Sequence, residues 1–344
     1  MEKAITISLC MIVKNEEKVL ARCLDSVADL VDEIIIVDTG STDATRKIAA
    51  DYTDKLYDFT WVDDFSAARN FAFSKATKEY IYSADADEVL DVLNRERFSK
   101  LKTCLDPEIE IVQMKYGNQL QYNTVYNYDE EYRPKLFKRL RPFVWQDPVH
   151  ETIRLDPVIF DSDIVITHMP ENLHAERDFS TFRKQAAKGK EMSLHLQKMY
   201  VRELFVAGKD RDFLEAEAYF LKVIGRENST AQEMKEACCV VARASRLRKD
   251  TIAFMKYALK VVALEGCSEI CCELGDYYKE QGDYEEGAVW YYNAAYETEP
   301  VASLRFANET AFRGLIACYE EMGLDDQAES YRREARERQL LLDE

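Results

Sequence analysis

Three carboxylates lie within four residues of one another, at Asp85, Asp87 and Glu88, shortly after the apolar run at 80–82. That run of aromatic and β-branched residues predicts a short buried strand. Unpaired charges at the end of a buried strand are costly. A hard divalent cation, Mg²⁺ or Mn²⁺, that is also bound by substrate phosphate oxygens would satisfy them. The alternative is an acidic turn that starts the next helix.

Strands and helices alternate through the first part of the chain. Apolar runs predict strands at 5–13, 33–37, 55–61 and 80–84, and amphipathic spacing predicts helices between them. This alternation predicts a parallel sheet with right-handed crossovers. Shorter strands are predicted at 110–116, 125–128 and 158–169.

Polar residues cluster at or just after the predicted strand ends, where parallel sheets bind their ligands. These residues are Asn15, Asp38, Arg69, Asp85 and Asp87. Taken singly, Asp38 is also typical of a turn or a cap, and Arg69 of an exposed helix. The first loop contains no G-x-G-x-x-G fingerprint, which disfavours a dehydrogenase.

A basic segment occupies residues 133–141, with five Lys or Arg residues and no acid. In a chain of net charge −18 it predicts an anion site for a diphosphate or an acceptor. The alternative is a solvated edge strand, where Lys and Arg discourage aggregation.

Composition excludes several classes of protein. The net charge of −18 and the pI near 4.9 disfavour nucleic acid as a partner. The longest apolar runs are of strand length, so no membrane span is expected. Nine scattered cysteines and the lack of a recognisable signal peptide lead us to expect a reducing, cytoplasmic location.

From about residue 172 the sequence is typical of helices rich in Ala, Glu, Lys and Tyr. The segment around Leu274, Gly275 and Tyr278 is close to the tetratricopeptide pattern, whose period is about 34 residues. Small residues recur near that period at Ala216, Ala253, Gly287 and Ala328.

Such repeats usually bind a peptide or protein on their concave face. The alternatives are a helical appendage packed on the first domain and a homodimer interface. Tyr277, Tyr292 and Tyr296 are not needed by the packing pattern, so we expect them to be available to line a groove.

Four motifs together resemble family 2 glycosyltransferases: MIVKNEE at 11–17, VDTGSTDAT at 37–45, FSAARNFA at 65–72 and SADADE at 83–88. The resemblance covers about the first 170 residues. It implies an α/β domain of GT-A fold, Rossmann-like with a mainly parallel sheet, at 1–170. A connecting helical segment at 171–200 and an all-α tetratricopeptide-like domain at 201–344 would follow. The family's usual Pro-x-Tyr-Asn reads Ile-Val-Lys-Asn at 12–15.

The resemblance also implies which residues bind the nucleotide sugar. In the family, the residue at the position of Asp38 hydrogen-bonds the uracil of a UDP-sugar, and that at Arg69 approaches the nucleotide. Asn15 and Glu16 are implied in the same pocket, with Glu16 near the base. In the family the D-x-D motif, here Asp85 and Asp87, contacts the ribose and the metal, and Asp85 is the residue implied for the nucleotide sugar.

The implied metal ligands for Mn²⁺ or Mg²⁺ are Asp85, Asp87 and His168. A histidine at the end of an apolar strand, as at His168, completes the metal shell in related enzymes. From the residues alone, a purely structural role is favoured for a lone histidine after an apolar strand.

Residues 148–151, Pro-Val-His-Glu, resemble the acceptor-side motif of the same enzymes. Glu151 is the implied general base, with His150 as its partner or substitute. The alternative is a His-Glu pair that only hydrogen-bonds a loop.

The predicted activity is an inverting, metal-dependent transfer of a hexose or N-acetylhexosamine from a UDP-sugar to a peptide, protein or glycan. A different class of function is a catalytically inactive nucleotide-binding domain on a repeat scaffold that acts as an interaction module. A nucleotidyltransferase is disfavoured because the loop at 14–17 is not Gly-rich and basic.

Overall fold

The computed structural model describes residues 4–117, 131–141, 143–153, 157–169, 175–189, 191–338 and 340. They divide into two compact units, Met1–Lys184 and Gln185–Glu344. The strand predicted at 125–128 lies outside the described residues. Among the described residues, no helix has both the length and the apolar character needed to cross a membrane.

The first unit contains an eight-stranded sheet of order β3-β2-β1-β4-β7-β6-β10-β5. Its strands are β1 (Ile7–Val13), β2 (Glu33–Asp38), β3 (Leu56–Asp58), β4 (Tyr80–Ser83), β5 (Glu88–Val89), β6 (Ile111–Gly117), β7 (Glu131–Lys138) and β10 (Ile159–His168). The strands β1 to β4 are parallel to their neighbours in this group, and β6 is parallel to β10. The predicted mainly parallel α/β fold is confirmed.

Helices cover both faces of this sheet, and the strand β1 is therefore buried on both sides. The helices are α1 (Leu20–Val27), α2 (Thr45–Ala50), α3 (Phe65–Lys75) and α4 (Val92–Cys104). Leu9 and Met11 of β1 belong to the core cluster that contains Leu24 of α1. Cys10 points the other way and joins Phe73 of α3. Alternation along the strand therefore packs the sheet on both faces.

The basic segment does not form an edge strand, so that alternative for 133–141 is wrong. Its residues lie mostly in β7, which is hydrogen-bonded between β4 and β6 and antiparallel to both. Leu136 and Phe137 are fully buried, and apolar residues on both faces favour an inner position.

The second unit is all-helical in its described part, as predicted. Its helices are α6 (Leu194–Ala207), α7 (Asp210–Ile224), α8 (Ala231–Leu247), α9 (Thr251–Val262), α10 (Ser268–Glu280), α11 (Tyr284–Tyr292), α12 (Ala311–Glu321) and α13 (Asp325–Glu337), with π-helical turns at Asn293–Glu297 and Phe306–Thr310. The preceding helix α5 (Ala175–Ala187) contains the division between the units.

Two glycines leave room for a buried tyrosine in this helical unit. A Cβ atom on Gly275 would lie 2.9 Å from the Tyr291 ring, and one on Gly314 would lie closer still. Tyr291 is 1% exposed, and its hydroxyl donates to Asp276 Oδ1 at 2.5 Å. The repeat pattern's glycine is therefore a packing requirement of α10, α11 and α12.

We expect Gly314→Ala to lower the stability of the helical unit by about 1–3 kcal/mol, because the added methyl group overpacks the Tyr291 ring. The measurement is a thermal melt followed by circular dichroism. Gly225→Ala is the control, since its Cβ would meet carbonyl oxygens at 3.6 Å and its change should stay within about 0.5 kcal/mol. Equal melting temperatures for the two variants would contradict the packing role.

Exposure separates the three tyrosines that were expected to line a groove, because Tyr277 and Tyr296 are half-buried. Tyr292 is exposed. Tyr277 instead packs on Phe254 with ring centroids 5.2 Å apart, and the Tyr296 hydroxyl donates to Glu334 Oε2 at 2.9 Å. All three tyrosines have a partner, since Tyr292 stacks on Tyr296, so Tyr292 differs from the other two in exposure alone.

Candidate active site

The carboxyl end of β2 presents Asp38, which pairs in register with Val13 of β1 and is only 2% exposed. Its two carboxylate oxygens accept the Ser41 backbone N–H at 3.2 Å. Arg46 Nη1 donates to Asp38 Oδ2 at 3.0 Å and also donates to Asp58. The orientation of the Asp38 carboxylate at the carboxyl end of β2 is therefore fixed by two partners from the chain that follows it, Ser41 and Arg46.

The loop after β1 is bound to the loop after β2. Asn15 has a φ of 56°, and its Oδ1 accepts the Thr42 N–H at 2.8 Å. The Glu16 N–H donates to Thr45 Oγ1 at 2.7 Å. Burial, followed by the negative charge of Asp87, raises the pKa of Glu16 to about 7. The structure thus places Asn15 and Glu16 at the same sheet edge as Asp38.

Arg69 joins three elements of the site. From α3, its Nη1 donates to Ser83 Oγ at 3.1 Å and its Nη2 to Asp85 Oδ1 at 2.8 Å. Its Nε donates to Glu151, which is 82 residues away in sequence. One guanidinium group therefore holds the first aspartate of the D-x-D motif and the implied base together.

The charges of this network stabilise one another although burial opposes ionisation. Burial lowers the pKa of Arg69, but the charges of Asp85 and Glu151 outweigh it and raise that pKa. Burial likewise raises the pKa of Asp85, but Arg69 and Lys135 hold it well below its usual range. Asp85 and Arg69 therefore remain an ion pair across the ordinary pH range.

Asp87 and His168 meet where β5 pairs antiparallel with the end of β10. Asp87 Oδ2 lies 3.1 Å from His168 Nε2, and the Met169 N–H donates to the Asp87 carbonyl at 2.9 Å. The described residues contain no group of three His, Cys, Asp or Glu side chains arranged as metal ligands. A carboxylate oxygen facing an imidazole nitrogen suits Mn²⁺, with the remaining ligands supplied by substrate oxygens or water.

A buried lysine lies beside the acidic cluster, and sequence reasoning did not single it out. Lys135 of β7 is 6% exposed, and its Nζ lies 2.5 Å from Glu88 Oε1 and 4.0 Å from Asp85 Oδ2. The basic segment was expected to bind an outside anion, yet this cation neutralises the chain's own carboxylates. The one sequence feature that indicates burial of Lys135 is its position just before the apolar pair Leu136 and Phe137.

We expect Lys135→Met to destabilise the first unit by about 3–5 kcal/mol, because it leaves the buried Glu88 charge unpaired. Burial already raises the pKa of Glu88, with Lys135 opposing it. The ionised form is thus the costly one, so the loss should be largest above the raised pKa of Glu88 and should shrink as the pH falls from there toward the ordinary carboxyl value. The measurement is urea unfolding at several pH values.

The double variant Lys135→Met/Glu88→Gln is the matched control for this pair. It removes both charges, so it should recover a large part of the lost stability. A double variant no more stable than Lys135→Met alone would show that Lys135 acts through packing rather than charge.

Glu151 and His150 lie between two short strands, β8 (Trp145–Gln146) and β9 (Thr152–Ile153). The Glu151 side chain is 11% exposed and reaches Arg69. His150 has a φ of 49°, and its ring stacks on Phe182 with centroids 6.0 Å apart. Among the described contacts, Glu151 rather than His150 is joined to the Asp85–Arg69 pair.

The comparisons with known proteins concern the part of the chain that contains this site. The family model "Glycosyl transferase family 2" matches residues 8–154. Residues 8–154 are a glycosyl transferase family 2 domain. The resemblance carried by the four sequence motifs is thereby confirmed, and β1, β2, β4 and β8 all belong to this family 2 domain.

Curated relatives match parts of this chain. A TPR repeat-containing protein of Synechococcus elongatus is 41% identical over 152 residues, which are 43% of this chain and 35% of the relative. The SPbeta prophage-derived glycosyltransferase SunS of Bacillus subtilis is 40% identical over 103 residues, 29% of this chain and 24% of SunS. The chain thus spans about a third or less of these two relatives.

Among solved structures, glucosyl-3-phosphoglycerate synthase from Mycobacterium tuberculosis, in complex with Mn²⁺ and UDP-glucose, is 16% identical. The match covers 55% of this chain and 81% of that chain, with a TM-score of 0.39.

Proposed function

We propose that the family 2 domain transfers a hexose or N-acetylhexosamine from a UDP-sugar to a peptide, protein or glycan acceptor, with inversion and with a divalent metal. The observation that carries the proposal is the Arg69 network, which joins Asp85 to Glu151 at the sheet edge that also presents Asp38. A donor-side carboxylate and a candidate base held by one cation match the two sides of a transfer site.

The nucleotide would bind over the loops that follow β1 and β2. The Asp38 carboxylate can accept a hydrogen bond from the uracil imide N–H while Arg46 holds its Oδ2 atom. Asn15 fixes the loop after β2 by accepting a hydrogen bond from the Thr42 N–H. Asp85, held by Arg69, can accept from a ribose hydroxyl through its second oxygen.

Asp87 and His168 are the residues that would hold Mn²⁺ or Mg²⁺ with the diphosphate. When bound, the metal supplies a Lewis acid that stabilises the charge on the leaving diphosphate. The chain contributes the geometry of this site. Glu88 pairs with His168 in the β5–β10 ladder, and this pairing holds the neighbouring Asp87 side chain next to that of His168. Lys135 neutralises Glu88 beside them and so limits the excess of negative charge there.

Glu151 is our proposed general base. Inversion requires a proton acceptor on the face of the sugar opposite the leaving diphosphate. Arg69 binds Glu151 through Oε1, which fixes the carboxylate and leaves its other oxygen to accept the acceptor's proton. Arg69 is therefore a positioning residue for Glu151.

The test is UDP release from a panel of UDP-sugars by the full chain, with Mn²⁺, Mg²⁺ or a chelator, alongside thermal-shift measurements of donor binding. We expect one sugar class to raise the melting temperature and to give slow, metal-dependent UDP release. Binding of UDP-sugars without release, in the presence of either metal and of candidate acceptors, would favour the inactive nucleotide-binding module instead.

A further inference from the structure

A groove of about 350 Å³ lies between α11 and the end of α12 in the helical unit. One wall is a stripe on α11 formed by Glu285, Val289 and Tyr292, whose four-residue and three-residue steps place them on one helix face. Tyr319 and Leu324 belong to the opposite wall. The groove is contained within the second unit and has no part in the transfer site.

Large apolar side chains are exposed along both walls of this groove. Val289 is 52% exposed, Tyr292 42% and Leu324 39%. Single exposed apolar residues are ordinary, whereas several facing one groove mark a binding surface. Tyr292 stacks on Tyr296 with centroids 4.6 Å apart, so its ring is already fixed before any ligand arrives.

The rim of the groove is acidic and uncompensated. Glu285 lines the groove, and Glu321 and Asp325 are the chain neighbours of the lining residues Met322 and Leu324. These three acids and Asp326 are exposed, and none has an ion-pair partner among the described residues. Acids in the first turn of a helix also favour the helix dipole, but Glu285 in addition lines the groove beside exposed apolar side chains. Such a rim attracts cations and repels anionic ligands.

The chain's net charge of −18 narrows the choice of occupant. A second copy of this chain, a nucleic acid and an anionic membrane would each bring more negative charge to an acidic rim. A cationic polypeptide removes that repulsion, and an apolar side chain on it can enter the groove and be buried between the tyrosines.

We propose that this groove binds a polypeptide segment in which a large apolar side chain is flanked by Lys or Arg. The apolar side chain contacts Val289, Tyr292 and Leu324, and the flanking cations face the acidic rim. Binding requires neither donor nor metal, so it stands apart from the proposed transfer reaction.

The experiment measures fluorescence anisotropy of a labelled basic peptide, with leucine and tryptophan at its centre and Lys and Arg on both sides, against the full chain. We expect saturable binding that weakens as salt rises. A matched peptide with serine at the centre should bind about tenfold more weakly, because the buried apolar side chains are lost. A peptide with Glu in place of Lys and Arg should not bind.

Variants place the binding in the groove. Val289→Ser/Tyr292→Ser should weaken binding of the first peptide about tenfold, and both side chains are exposed enough for the fold to survive. Leu194→Ser is the control, since this 65% exposed residue begins α6 and lines no part of the groove. Melting temperatures of both variants should equal that of the parent chain.

Several results would overturn the proposal. These are no binding at millimolar peptide, equal binding of the serine-centred peptide, or an equal loss in Leu194→Ser. A chain that sediments as a dimer and becomes monomeric in Val289→Ser/Tyr292→Ser would show that a second copy occupies the groove instead.

Discussion

Glu151→Gln is expected to lower the rate of sugar transfer about 10²–10⁴-fold, the usual contribution of a general base. The glutamine amide keeps the size of the side chain, and its oxygen can still accept from Arg69 Nε, but it cannot take a proton from the acceptor. Donor affinity should change little. The measurement is the transfer rate at saturating donor, with UDP-sugar affinity by calorimetry on the same preparation.

His150→Ala is the control that separates the two candidates for the base. His150 packs on Phe182, and we expect its removal to leave most of the transfer rate. If Glu151→Gln stays active while His150→Ala is inactive, the two roles must be exchanged. If both variants retain activity, the residues at 148–151 serve only to shape the loop.

The second large effect is expected for Asp87→Ala. Loss of one of the two side chains that face each other at 3.1 Å should abolish the Mn²⁺ dependence of UDP binding. Turnover should fall about 10²–10³-fold, since a metal at a leaving diphosphate supplies several kcal/mol. Calorimetric titration of UDP with and without Mn²⁺, before and after the substitution, measures both effects.

Asp54→Ala is the matched control for this substitution, because Asp54 is an exposed aspartate elsewhere in the same unit. It should retain metal-dependent binding and the parent melting temperature. Equal UDP affinity of the parent chain with and without Mn²⁺ would contradict a metal role for Asp87, whatever the activity of the variants. His168→Ala should show the same loss as Asp87→Ala, and a fully active His168→Ala would assign that histidine a structural role.

The elements of the first unit were predictable because their signals are local. Continuous apolar runs gave β1, β2 and β4 within two residues of their observed bounds. The periodicity of apolar residues and the amino-acid composition also distinguished the α/β part of the chain from the helical part. The third strand is shorter than the predicted 55–61, since only Leu56–Asp58 pairs with β2. Its alternation does not reveal where hydrogen bonding to a neighbouring strand stops.

By itself, the sequence determined the alternating strands and helices, the helical second unit, and the acidic motif at a strand end, since each depends on residues close together in the chain. Strand order was decided only by the tertiary structure. It placed β7 inside the sheet, and so brought Lys135 to Glu88, 47 residues away. It also joined Arg69 to Glu151 across 82 residues. Spacing along the chain does not specify such partners, because the strand register and the crossover connections determine which residues become neighbours. Buried charges then pair with the oppositely charged groups that lie near them.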